Sequence, residues 1–235
     1  MATEVIGEFL GTLILVLLGD GVCANVNLAR TKGHNAGWLT ITIGWGLAVM
    51  VAAYASGYLS PAHLNPAVTI AFAIEGSTPW SSVPAYIIGQ MLGAFLGAVI
   101  LWLHYRDHFN VTEDPDMILG SFATAPEIHA PANNLISEAI GTFILTFGIM
   151  SFAQNDLAPG LSTALVGGLI VSIGASLGGP TGYAINPARD LGPRIAHAIL
   201  PIPHKGDSDW AYAWIPVVGP IIGGVLAAIV FQWIP

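Results

Sequence analysis

The chain has 235 residues, 54% of them hydrophobic and 9% charged, with six basic against fourteen acidic side chains. A soluble domain of this size carries about a quarter of its residues charged, so the composition excludes one and points to a polytopic membrane protein. The acidic balance leaves no Lys/Arg patch with which to hold nucleic acid or anionic lipid head groups.

Taken in order, six apolar runs have spanning length: Val5 to Val26, Trp38 to Tyr58, Val83 to His104, Leu135 to Gln154, Gly160 to Leu177 and Tyr212 to Ile234. Each is close to the ~20 residues that cross the hydrocarbon as a helix. The first carries Glu4 and Glu8 in place of a basic n-region, and no cleavage site follows it. It therefore reads as a retained helix and not as a removable signal peptide. Cys23 is the single cysteine, which excludes an internal disulfide and a cysteine metal cluster and makes packing its expected role. Asp20 falls within the first span or at its end, with no partner assignable from sequence. The longest connection, Tyr105 to Asn134, holds Asp107, Glu113, Asp114, Asp116 and Glu127 and several prolines. It reads as a solvated connector between two halves. His104, His108 and His129 lie in or beside it without ligand spacing, so no metal site is expected. Asn110-Val111-Thr112 fits a glycosylation sequon, a pattern frequent by chance.

Two further elements are too short to span. Asn65-Pro66-Ala67 opens an apolar run closed by Glu75-Gly76, and Asn186-Pro187-Ala188-Arg189 opens another that can reach only about Pro201. Asn is a strong N-cap, and Pro suits the first helical position because its missing N–H would be unpaired there. Each tripeptide thus predicts the start of a half-helix. Such helices, with free N–H groups and a positive dipole end, are tolerated in a membrane only where they line a polar cavity.

The halves repeat. Glu8-Phe9-Leu10-Gly11-Thr12 returns as Glu138-Ala139-Ile140-Gly141-Thr142, and Gly89 and Gly93 return as Gly219 and Gly223, all at an offset of 130, whereas the Asn-Pro-Ala copies are 121 apart. A shorter stretch before the second half-helix and a longer one after it accounts for the difference. Three spans per half is an odd number, so the second half enters the membrane from the opposite side. The expected fold is all-α: six transmembrane helices plus two re-entrant half-helices, in inverted three-helix repeats around a central pore. The first repeat covers residues 1–104, the connector 105–134 and the second repeat 135–235. Glycines spaced by four, as at Gly89, Gly93 and Gly97, let neighbouring helices approach closely.

Duplicated Asn-Pro-Ala boxes, one Glu-x-x-Gly-Thr per half, and the strings His63-Leu64-Asn65-Pro66-Ala67-Val68-Thr69 and Asn186-Pro187-Ala188-Arg189-Asp190-Leu191-Gly192-Pro193 resemble the aquaporin family over essentially the whole chain. Asp190, Arg194 and Pro216-Val217 are similar to its glycerol facilitators, the aquaglyceroporins. The resemblance implies a homotetramer with one pore per subunit and both termini in the cytoplasm of a cell-membrane protein. It implies a constriction at Asn65 and Asn186 and a selectivity filter of Trp45, Gly174, Tyr183 and Arg189. It further implies that Ala62, His63, Leu64, Gly182, Ala184 and Ile185 line the pore along the re-entrant loops, braced by Glu8 and Glu138. No cofactor is implied. Pro61 replaces a glycine usual in such channels and predicts a stiffer loop. Tyr183 replaces a phenylalanine expected in a glycerol channel and makes the filter more polar or narrower.

Each of these residues has a plainer reading. Asn65 and Asn186 can serve as caps alone, Arg189 as a salt-bridged structural arginine, and Trp45 as an interfacial anchor. Glu8 and Glu138 can be proton relays instead of braces, and His63 can gate with pH instead of supporting its loop. If the Asn amides meet the solute, a water held by two donors offers both lone pairs and breaks the proton chain, while two positive helix ends repel cations. A passive channel for water and small neutral solutes such as glycerol is the expected function. A channel mainly for water, hydrogen peroxide or undissociated small acids such as lactic acid is the alternative. An ion-coupled carrier would need an acidic site at the helix break, for which Asp190, Glu8 and Glu138 are the candidates. An enzyme would need a catalytic constellation, and none is evident. The family orientation leaves Arg30, Lys32, Arg106 and Lys205 outside, against the positive-inside tendency.

Overall fold

The computed structural model describes residues 1–234; Pro235, the last residue assigned above to the second repeat, lies outside them. Among the described residues the regular structure is helical throughout. It runs α1 (Ala2–Asn27), α2 (Trp38–Ser56), α3 (Pro66–Glu75), α4 (Val83–His104), α5 (Arg106–Val111), α6 (Pro115–Leu119), α7 (Pro131–Phe152), α8 (Leu161–Leu177), α9 (Pro187–Ile199) and α10 (Ile215–Gln232). Helices α1, α2, α4, α7 and α10 are each long and apolar enough to cross a membrane, and α8 is an apolar helix of 17 residues. At 1.5 Å per residue α8 reaches about 26 Å, near the lower limit for a span. Large apolar side chains such as Leu47, Ile88, Leu92, Ile136 and Leu226 point outward, while Glu8, Thr12, Gln90, Glu138 and Thr142 are fully buried. That inversion of the soluble pattern suits a hydrocarbon solvent. The chain is an integral membrane protein.

Within each half the first and third spans make the closest pair, α1 with α4 and α7 with α10. Glycine makes the approach: a Cβ on Gly93 would lie 2.2 Å from the Phe9 carbonyl oxygen, and one on Gly223 would lie 2.1 Å from that of Ala139. The two halves meet where α2 crosses α8, with Gly46 and Gly167 each set against the other's backbone carbonyl. Each half-helix then packs on the third span of the opposite half, α3 on α10 and α9 on α4. With 10 and 13 residues respectively, α3 and α9 placed end to end are on the order of 35 Å long, about one span. The segment after α9, residues 200–214, is longer than that after α3, residues 76–82.

The connector departs from the solvated segment expected of it. It carries α5 and α6, and Ile118, Leu119, Ser121, Phe122, Ala123 and Thr124 are all buried. Ile118, Phe109 and Phe122 join a core with Val16 and Leu28 of the first half and Ala188 and Ala196 of α9. Its acids and prolines flank a short apolar string, Met117 to Ala123, which was enough to draw the chain back inward.

Candidate functional site

Asn65 and Asn186 have extended backbones and cap α3 and α9. The Asn65 Oδ1 accepts from Ala67 N at 2.9 Å, and the Asn186 Oδ1 accepts from Ala188 N at 3.0 Å and Arg189 N at 3.2 Å. With the acylamide oxygen used in this way, the Nδ2 must point beyond its own helix. It crosses to the other half: Asn65 Nδ2 donates to Ile185 O and Asn186 Nδ2 to Leu64 O, each at 2.8 Å. The two helix starts are therefore seated against one another through reciprocal bonds. An Asn amide has two N–H groups, so each keeps one beyond this bond.

The loops entering the two half-helices are matched in their strain. Ala62 and Leu64 stand at φ +53°, and Tyr183 and Ile185 at +41° and +43°, in the left-handed region that costs a non-glycine residue roughly 1–3 kcal/mol. Pro61, expected to stiffen the first loop, is not among the left-handed residues. A buried carboxylate holds each loop. Glu8 accepts from His63 N (2.9 Å), Leu64 N (2.7 Å), the Ser60 hydroxyl (2.9 Å) and Gln90 Nε2 (2.7 Å). Glu138 accepts from Ala184 N (3.0 Å), Ile185 N (2.8 Å) and the Thr181 hydroxyl (2.6 Å). With their backbone N–H groups turned to the carboxylates, the loops direct carbonyls the other way, and two of these meet the Asn amides.

A cavity of about 450 Å³ runs along these loops. Its walls include Asn65, Asn186, Trp45, Tyr183, Arg189, Ala62, His63, Leu64, Gly182, Ala184 and Ile185, with Val49, Val68, Phe72, Ile149 and Ile170 as apolar surface. The His63 imidazole stacks on Phe72 at 5.1 Å, its Nδ1 3.2 Å from the Thr69 hydroxyl. Gly174 does not reach the wall: it lies behind Tyr183, where a Cβ would come within 2.6 Å of the tyrosine Cζ. Its carbonyl accepts from Trp38 Nε1 at 2.9 Å, and the Trp38 ring meets Tyr183 edge-on at 5.6 Å. Gly174 thus supplies room for the Tyr183 ring. The Tyr183 hydroxyl has no partner among the described residues.

Arg189 Cζ lies 4.1 Å from the centre of the Trp45 ring, a cation–π contact. Its Nη1 donates to the Phe122 carbonyl at 3.2 Å and is 3.2 Å from Asp20 Oδ1. Both partners escaped the sequence reading. Asp20 was visible as a charge in an apolar span, but its partner lies far along the chain, and a backbone carbonyl carries no sequence signature. The second arginine of α9, Arg194, is wholly buried and paired with Asp190 at 2.8 Å, while Asp190 also accepts from Thr124 N and Oγ1. Asp190 is thus committed to tying the connector to α9. In the segment after α9, Lys205 Nζ donates to the carbonyls of His197, Ala198 and Leu200 at 2.7–2.8 Å, which closes the α9 C-terminus with the charge its dipole favours. Partial burial lowers the Lys205 pKa from its ordinary value.

The sequence model of the family described as Major intrinsic protein matches residues 1–231. The chain belongs to the major intrinsic proteins. It is 58% identical over 232 residues to the "Glycerol uptake facilitator protein" of Streptococcus pneumoniae, covering 99% of both chains. It is 57% identical over 229 residues to the "Probable glycerol uptake facilitator protein" of Thermotoga maritima, covering 97% of this chain and 98% of that one. Among solved structures, the aquaglyceroporin from Plasmodium falciparum superposes with a TM-score of 0.88 at 32% identity, over 99% of this chain and 96% of that one. The paired half-helices and their crossed asparagines are therefore those of a major intrinsic protein with the overall shape of an aquaglyceroporin.

Proposed function

We propose that the chain is a passive channel for glycerol, related small polyols and water that excludes ions and protons. One observation carries the reading: a single cavity runs past both helix starts and is walled by both asparagines, a tryptophan and an arginine. Asn65 and Asn186 form the constriction, each offering its remaining N–H to a passing oxygen. Trp45, Tyr183 and Arg189 form the filter, with Gly174 making space for Tyr183. Trp45 presents an apolar face and Arg189 its Nε and Nη2 donors, a pairing that suits a molecule with carbon on one edge and hydroxyls on the other. Glu8 and Glu138 hold the loops whose carbonyls line the path. The similarity to glycerol uptake facilitators supports glycerol as a solute.

The same reading makes the protein a homotetramer in the cell membrane, with both termini cytoplasmic and its halves divided as 1–104 and 135–235 about the connector. Capping of α9 by Lys205 gives one outward basic residue a structural reason that outweighs the positive-inside tendency. Stopped-flow shrinkage and reswelling of proteoliposomes, with a panel of neutral solutes and a proton-leak control, tests the function. Glycerol and water should equilibrate without saturation and without proton leak. Saturating flux that stalls without an ion gradient identifies a carrier and overturns the proposal.

A further inference from the structure

Asp20 has no part in the filter described so far, and it is wholly buried. It sits on a seat that α1 builds beneath the filter. Gly19 lets the Trp45 ring lie directly on the helix, since a Cβ there would be 2.2 Å from the ring, and Cys23, one turn on, takes Trp45 Nε1 at 3.3 Å. Asp20 stands between them with Oδ1 3.2 Å from Arg189 Nη1. Apart from that ion pair, neither Asp20 oxygen has a hydrogen-bond donor among the described residues. The other nearby carboxylate, Asp190, is taken by Arg194 and Thr124. Asp20 is thus dedicated to Arg189, and each arginine of α9 has one carboxylate of its own.

A lone guanidinium in a narrow, apolar-walled passage would create a positive field that repels cations but gathers small anions. Pairing it with a carboxylate outside the passage cancels that field at a distance while leaving the Nε and Nη2 donors in place. We infer that Asp20 is a selectivity-determining positioning residue: it makes the filter electrically neutral, so that Arg189 recognises uncharged hydroxyl compounds by hydrogen bonding and small inorganic anions gain no foothold. This rests on the filter reading of Arg189.

The experiment uses full-length protein in proteoliposomes. Nitrate entry is followed as swelling in potassium nitrate with valinomycin present, and is expressed as a ratio to water permeability in the same vesicles. Asp20→Asn should raise that ratio by about tenfold or more, Asp20→Glu should keep it near the parent value, and Asp20→Asn combined with Arg189→Val should bring it back down. A ratio for Asp20→Asn equal to the parent's overturns the inference, as does an increase that persists in the double variant. The parent alone supplies a second measurement that needs no variant to fold: excess nitrate should leave its glycerol flux unaltered, and inhibition would show an unneutralised Arg189. Arg189→Val alone separates the two levels of argument. If it leaves the glycerol-to-water ratio unmoved, the filter reading itself fails; if it shifts that ratio while Asp20→Asn moves nothing, only the charge-balancing role fails.

Discussion

Replacing Glu138 by glutamine removes a charge and one acceptor while keeping shape, so it isolates what the carboxylate does for the second re-entrant loop. Glu138 accepts three hydrogen bonds, from Ala184 N, Ile185 N and the Thr181 hydroxyl. Glutamine retains one oxygen; whichever way its amide turns, an NH2 group faces a donor. If it faces a backbone N–H, one charge-assisted bond is lost, about 1.5–3 kcal/mol, and a buried N–H is left unpaired at about 1–3 kcal/mol more. On the other side stand Tyr183 and Ile185 in left-handed conformations, each worth roughly 1–3 kcal/mol of strain. Loss and stored strain are of the same size, so the loop should leave its conformation in a large share of molecules and turn its carbonyls away from the cavity. Water and glycerol flux through Glu138→Gln in proteoliposomes should fall by about tenfold or more, with the protein still folded because α7 keeps its packing on α10. Glu8→Gln should lose less, since Gln90 Oε1 has no partner and can accept the new N–H. Flux for Glu138→Gln within twofold of the parent would refute the idea that the carboxylate holds a strained loop.

Other expectations follow from the same geometry. Tyr183→Phe deletes a buried hydroxyl that has no partner and lies against Gly174; it should leave water and polyol flux near the parent values in stopped-flow assays and leave or raise the melting temperature, an unpaired buried polar group costing about 1–3 kcal/mol. Gly93→Val forces a Cβ to within 2.2 Å of the Phe9 carbonyl oxygen, and the strain, about 1–3 kcal/mol or more, should appear as lower thermal stability of the detergent-solubilised protein. Asp190→Asn leaves the wholly buried Arg194 charge without its partner; breaking such a pair costs about 3–5 kcal/mol, and protease nicking between residues 113 and 127 should rise as the connector loosens. A cysteine placed at exposed Asn110 in a Cys23→Ala background should react with a membrane-impermeant maleimide added outside intact cells, the outcome required by cytoplasmic termini.

Much of this architecture could be read from the sequence because the chain states it twice. Asn65 with Asn186 and Glu8 with Glu138 stand out as repeated polar residues in apolar surroundings, and repetition turns two weak cap signals into a pair of half-helices. What escaped notice has no such duplicate. The Phe122 carbonyl reaches Arg189 only because a short apolar string folds inward from an acidic connector, and a composition average over 105–134 hides that string. Gly174 was expected on the cavity wall, but a glycine makes space without reporting which neighbour fills it; here the occupant is Tyr183. Asp20 was conspicuous as a charge but mute about its partner, because the pairing depends on how α9 is seated against α1.

The inverted repeat also explains where selectivity can reside. The two loops are near copies, with left-handed residues at 62 and 64 answered at 183 and 185 and a carboxylate under each, so the middle of the passage presents nearly the same donors to a solute from either direction. On the proposed reading, discrimination comes from what the halves do not share. Thr69 in α3 and its counterpart Asp190 in α9 stay out of the cavity wall, but Arg189 in α9 answers to Val68 in α3, and both of these residues line the cavity. Substituting a guanidinium for an apolar side chain in one copy introduces a charge at one end of an otherwise balanced path, and such a charge is tolerable in an apolar wall only with a counterion. Asp20 on α1 fills that need, and the corresponding position of the other half, Met150 on α7, is apolar. The charged pair is therefore an asymmetric addition to a symmetric frame, which is the arrangement expected if one end of the conduit selects and the remainder only conducts.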